Sequence, residues 1–151
     1  MKVRIEITDG DEEVVIRCRS LTDEVRRISE AVGGITPGGT TLALDLCGEE
    51  HFVPVEDILF FETDGGRTAA HTADRMYSTQ YRLRELEELL PRTFARASKS
   101  CVVNTAKIES VSHSPVSASE ARFAGTHKKI YISRGYYKAV REIIEETRIR
   151  K

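Results

Sequence analysis

ILFFETDGGRTAAHT, residues 58–72, decides the fold. The run ILFFE (58–62) is near-continuously apolar, as in a strand buried on both faces. Asp64-Gly65-Gly66 carries the residue types of a tight hairpin turn, and RTAAHT (67–72) returns as its second strand. Upstream, Leu42, Leu44 and Leu46 alternate with other residues, and Phe52 to Val55 form a further short piece cut by Pro54. Downstream, the spacing of Leu83, Leu86 and Leu90 predicts one helix over about 79–90, stopping before Pro91. Short strands are expected near 92–97, 100–103, 107–112, 116–124 and 129–133. A last helix starts near Ser133, whose hydroxyl can cap it, with Tyr136, Val140, Ile143 and Ile144 on its apolar side. Strands this short, at this spacing, predict a mostly β fold: elongated antiparallel sheets with two peripheral helices.

Before residue 40 the pattern changes. Val3, Ile5 and Ile7 alternate, Asp9-Gly10 marks a turn, and Val14, Ile16 and Cys18 alternate again. A helix follows, with Thr22 as cap, Asp23 and Glu24 at its positive end, and Val25, Ile28 and Val32 on one face. ITPGGTT (35–41) reads as a linker. The expected organisation is a small β-β-α extension over 1–38 and a main domain over 40–148.

Composition excludes much. The chain has 151 residues, is 40% hydrophobic, and carries 23 Lys and Arg against 24 Asp and Glu. No run approaches the roughly 18 apolar residues of a membrane span, and MKVRIEITDGDEE has no apolar signal region, so a cytoplasmic protein without membrane insertion is expected. Three scattered cysteines make neither a disulfide framework nor a metal cluster. No phosphate loop, dinucleotide fingerprint, nucleophile elbow or zinc-protease motif is present, and no catalysis, metal or cofactor is expected. Cys101 reads as structural and Glu87-Glu88 as the solvated side of a helix; an enzyme using Cys101 is the weakest reading.

The net charge of −1 conceals a segregation. Residues 1–50 sum to −5, residues 51–90 to −4, and residues 91–151 to +8. Within the basic third, RTFARASKSCVVNTAK (92–107) holds Arg92, Arg96, Lys99 and Lys107, four hydroxyls and Asn104, and no acid. KKIYISRGYYKAVR (128–141) is also acid-free, and its Arg134 stands at a strand-to-helix junction whose backbone N–H groups could meet a phosphate. Such stretches suit a polyanion.

These segments together resemble the LytTR DNA-binding domain, the output domain of LytR/AgrA-type bacterial transcription regulators. The resemblance spans about residues 42–146. Its most specific element, F-x-R-x-x-[KR]-S-x-x-V-N-x-x-x-I, is met by Phe94, Arg96, Lys99, Ser100, Val103, Asn104 and Ile108; Ser133, Arg134 and Tyr136 meet the closing S-R-x-Y. The resemblance implies a β domain whose loops and strand ends enter DNA grooves. It places Lys99 and Arg134 at base-contacting positions, with Arg67 near a third. Ser98 stands where many members have His.

Phosphate contacts are expected from Arg96, Ser98, Ser100, Asn104, Lys107, Ser133, Tyr136 and Lys138. Only about 40 residues, acidic in balance, precede the domain, so the resemblance looks like the branch without a receiver domain. Residues 2–18 or the helix face at 22–32 could pair two chains as a homodimer. The expected function is a sequence-specific regulator of transcription bound to double-stranded DNA. The alternative is a ligand- or partner-binding regulatory module with weak or lost DNA binding.

Overall fold

Gly65 and Gly66 have φ of +59° and +84°, the left-handed backbone that a two-residue hairpin turn requires and that glycine adopts without strain. The strands they join pair from Asp64↔Arg67 down to Phe60↔His71, as the apolar run and its return predict. The computed structural model describes residues 14–33 and 40–148. The chain divides into two compact units, 1–37 and 38–151.

In the first unit, residues 14–19 carry no strand, with Val14 and Val15 exposed, so the expected return strand over Val14, Ile16 and Cys18 is not formed. Its expected partner, Val3 to Ile7, lies outside the described residues. Helix α1 (Asp23–Gly33) begins as its residues dictate: the Thr22 hydroxyl accepts the Val25 N–H at 3.3 Å.

The second unit runs β1 (Thr41–Leu46), β2 (Glu49–Pro54), β3 (Phe60–Asp64), β4 (Arg67–His71), β5 (Met76–Thr79), α2 (Leu83–Leu89), β6 (Phe94–Ser98) and β7 (Cys101–Asn104). It continues with β8 (Ile108–Ser112), β9 (Ser119–Phe123), β10 (Lys129–Ile132) and α3 (Arg134–Thr147). The first seven strands form one sheet in the order β2-β1-β5-β4-β3-β7-β6, and the last three a second in the order β10-β9-β8. All pairings are antiparallel.

Alternation along the central strands builds two cores. Phe60, Ala95, Ala97, Cys101 and Val103 face the second sheet and α3, packing with Phe123, Ile130, Ile132, Val140 and Ile144. Phe61, Phe94 and Val102 face the other way, against Leu83 and Leu86 of α2. ILFFE is therefore buried on both faces at Ile58 to Phe61, as expected, with only Glu62 exposed.

Two boundaries differ from expectation. The helix predicted from 79 starts at Leu83, because Met76–Thr79 is a strand paired with β4 and, at Ser78, with Asp45. The expected hydroxyl cap at Ser133 is also absent. The first turn of α3 is closed instead by its carbonyl, which accepts the N–H groups of Tyr136 at 2.9 Å and Tyr137 at 3.1 Å.

Candidate nucleic-acid interface

Antiparallel pairing gathers distant loops at one end of the second unit. The β3–β4 turn ends at Arg67. Beside it the Thr63 N–H donates to the Ser100 carbonyl at 2.9 Å, which brings up the β6–β7 turn with Lys99 at its tip. On the outer side of that turn the Ser133 N–H donates to the Ala97 carbonyl at 2.8 Å. This bond docks the start of α3, and Arg134 with it, against the end of β6. Arg67, Lys99 and Arg134 thus stand in a row. With strands about 4.8 Å apart, β4 to β6 alone spans about 14 Å.

All three side chains are exposed and make no ion pair among the described residues. Lys138, one turn beyond Arg134, shares its helix face and is likewise exposed. The charge along this end is graded. Asp64 flanks Arg67, and Lys99, Arg134 and Lys138 carry the cations beyond it.

The β6–β7 turn is a built structure. A bulge shifts the register between Arg96 and Ser98. Arg96 spans the turn: one guanidinium nitrogen donates to the Lys99 carbonyl at 2.9 Å and the other meets Glu87 of α2 at 3.0 Å. Ser98 Oγ accepts the Ser100 N–H at 3.2 Å and lies 3.4 Å from Ser100 Oγ. Arg96, Ser98 and Ser100 therefore set the backbone from which Lys99 projects.

Four expected phosphate contacts are placed otherwise. Asn104 is buried; its amide N–H donates to the Ile58 carbonyl at 3.0 Å and its oxygen accepts the Ala106 N–H at 3.2 Å. The polar stretch disguised a core residue that seats a tight turn, and its burial withholds the amide from a phosphate. Lys107 is exposed but follows the opposite end of β7 from Lys99. Arg148, just past the far end of α3, donates to the Thr105 and Ile108 carbonyls there. At about 1.5 Å per residue, the 14 residues of α3 place Lys107 roughly 20 Å from Arg134. Tyr136 packs half-buried on the core, and Ser133 contributes its backbone.

Cys101 lies in the core, where burial pushes its thiol up to about 12, so it is a protonated packing residue at neutral pH. No group of side chains that could hold a metal ion occurs among the described residues. No helix among them is long and apolar enough to cross a membrane. Sequence reasoning passed over the β8–β9 loop, residues 113–118, which emerges at the same end as Arg134; its signal was a third acid-free stretch, 110–119.

Comparison with known proteins bears on the family and the fold. Two Staphylococcus aureus proteins, from strains NCTC 8325 and COL, are 29% identical over 144 residues, covering 94% of this chain and 97% of their own length. Each is described as an uncharacterized HTH-type transcriptional regulator. In the described part of the present chain, α2 and α3 are separated by five strands. A LytTr DNA-binding domain from Bacillus cereus shares the fold, with a TM-score of 0.64 at 21% identity over 71% of this chain and 98% of that domain. The profile of the LytTr DNA-binding domain matches residues 48–145, which hold Arg67, Lys99 and Arg134 together with the strands that align them. The chain belongs to the LytTR DNA-binding domain family.

Proposed function

We propose that this chain is a sequence-specific transcription regulator that reads double-stranded DNA through the row Arg67, Lys99 and Arg134. The observation that carries the reading is the Ser133–Ala97 bond, which joins the two acid-free stretches into one exposed basic end. A row longer than the roughly 12 Å width of a major groove can address adjacent grooves. In this reading Lys99 and Arg134 reach base edges, and Arg67, beside Asp64, makes the outermost contact. Lys138, the Ser98 and Ser100 hydroxyls and the backbone N–H groups at the start of α3 hold phosphates and set the register. Residues 40–148 form the DNA-binding domain, and the protein acts in the cytoplasm, where bacterial promoters are.

Selection of bound sites from random duplexes tests this. A defined motif is expected, and a repeated half-site within it would report pairing of two chains. Recovery of random sequence would leave only non-specific attraction.

A further inference from the structure

The β8–β9 loop has a role that the row of cations leaves unassigned. The register of the second sheet sets Ser112 opposite Glu120 and Ser119 opposite Ile132, so residues 113–118 leave the sheet beside Ser133 and Arg134. The loop is tied to α3 directly. The His113 ring stacks on Tyr137, three residues past Arg134, with centroids 4.1 Å apart and planes 23° from parallel. Its interior is held by its own serines. Ser114 Oγ lies 2.8 Å from Ser117 Oγ and accepts the Ser117 N–H at 3.2 Å, and Ser119 Oγ accepts the Ser114 N–H at 3.0 Å. The stretch SVSHSPVSAS (110–119) holds five serines and no acid. Val116 at its tip is 78% exposed.

Ser119 decides which nitrogen of His113 faces outward. It is buried, and its oxygen lies 3.2 Å from His113 Nδ1. Having accepted the Ser114 N–H, that hydroxyl has one hydrogen to give, and Nδ1 is its one described acceptor. With the Ser119 hydroxyl donating to Nδ1, neutral His113 carries its own proton on Nε2, on an exposed ring with no described partner for that nitrogen.

We propose that the β8–β9 loop is a further DNA-contacting element, with the His113 Nε2–H donating to a phosphate next to the base pairs addressed by Arg134. The inference rests on the DNA-binding reading above and adds to it a contact that positions α3 without reading sequence. Stacking on Tyr137 and the bond to Ser119 hold the ring in place before DNA arrives, so little side-chain freedom remains to be lost on binding.

The test uses the full chain and a duplex it selects from random sequence, with Arg134→Ala as reference. His113→Phe keeps the stacking ring and removes the donor; His113→Gln restores an N–H donor of similar reach. His113→Phe is expected to weaken binding about three- to tenfold on both the selected and a scrambled duplex, with His113→Gln closer to wild type. Phosphate-ethylation interference on the wild-type complex should mark a phosphate adjacent to the Arg134 footprint, and that mark should vanish in His113→Phe. Unchanged affinity and interference in His113→Phe would overturn the proposal while leaving the DNA reading intact. Failure of wild type to bind any duplex would instead sink the reading beneath it. If His113→Phe unfolds, His113→Ala takes its place in the same interference comparison, because Lys138 and the start of α3 can mark neighbouring phosphates in wild type whether or not the loop touches DNA.

Discussion

The Ser133 N–H and the Ala97 carbonyl, 36 positions apart in sequence, meet at 2.8 Å and fasten the first turn of α3 to the end of β6. Neither side chain takes part, so the link tolerates variation in both residues as long as the backbone path is kept. Its consequence is electrostatic: Lys99 and Arg134 come to stand on adjoining turns with no acid of either stretch between them. Two basic stretches that would otherwise be ordinary solvated edges become one surface.

Arg134 should behave as a base reader. Its guanidinium is exposed, and behind it α3 is anchored by Val140 and Ile144 in the core. A planar fork can give two parallel N–H bonds to the O6 and N7 of guanine, which an ammonium cannot copy. Arg134→Ala is expected to cost about 1–3 kcal/mol on the selected site and much less on scrambled DNA. Arg134→Lys should retain the non-specific attraction and lose most of the discrimination. Equal losses on the two duplexes would reassign Arg134 to a phosphate.

The salt dependence separates the two ends of the domain. Each phosphate neutralised contributes about −0.9 to the slope of log K against log salt, so four to six contacts give roughly −3.5 to −5.5. Lys138→Ala should flatten the slope by about one. Lys107→Ala, at the opposite end of β7, should leave it unchanged. A slope that responds to Lys107 and not to Lys138 would put the DNA on the other end.

How much of this was legible in sequence depends on the range of the interaction. The β3–β4 hairpin was readable because its apolar run, turn glycines and return strand are contiguous. Lys99 and Arg134 stood out because acid-free stretches are local too. Asn104 misled because a polar side chain between hydroxyls and a lysine reads as surface, while its burial depends on the Ile58 carbonyl, 46 positions away. Strand β5 was missed since MYST offers a single buried residue, Tyr77, and is held by neighbours on both sides. The His113–Tyr137 stack arises from the register of the second sheet, which no spacing along the chain reveals.

Arg96 and Asn104 should act through structure, and two variants distinguish this from phosphate contact. Asn104→Ala leaves a buried carbonyl and a turn N–H without partners, and a loss of about 2–3 kcal/mol of stability is expected, with the salt slope of the remaining folded protein unchanged. For Arg96, the informative change is in its partner. If Arg96 mainly holds the Lys99 turn, Glu87→Gln loosens the turn and weakens binding. A tighter complex in Glu87→Gln, from loss of a negative charge that competes with DNA for Arg96, would make Arg96 a phosphate ligand instead.

His71 should make stability sensitive to acid. The ring is buried and stacked on Phe60 at 4.4 Å; its Nε2 lies 2.8 Å from Glu62 Oε1, and its buried Nδ1 has no partner among the described residues. Burial holds the imidazole below its ordinary 6.5; the Glu62 carboxylate opposes that shift and Lys128 adds to it. A histidine depressed in the folded state binds its proton more readily when unfolded. Its contribution is therefore complete above about pH 6.5 and is lost progressively as the pH falls below that value toward the folded one. The loss cannot exceed the single-proton slope of about 1.4 kcal/mol per pH unit. Urea unfolding of wild type and His71→Phe at pH 7.5 and 5.5 measures it. The variant, which keeps a stacking ring and removes the titrating group, should lose less stability than wild type between the two pH values. Parallel losses in the two proteins would show that carboxylates elsewhere, and not His71, set the acid limit.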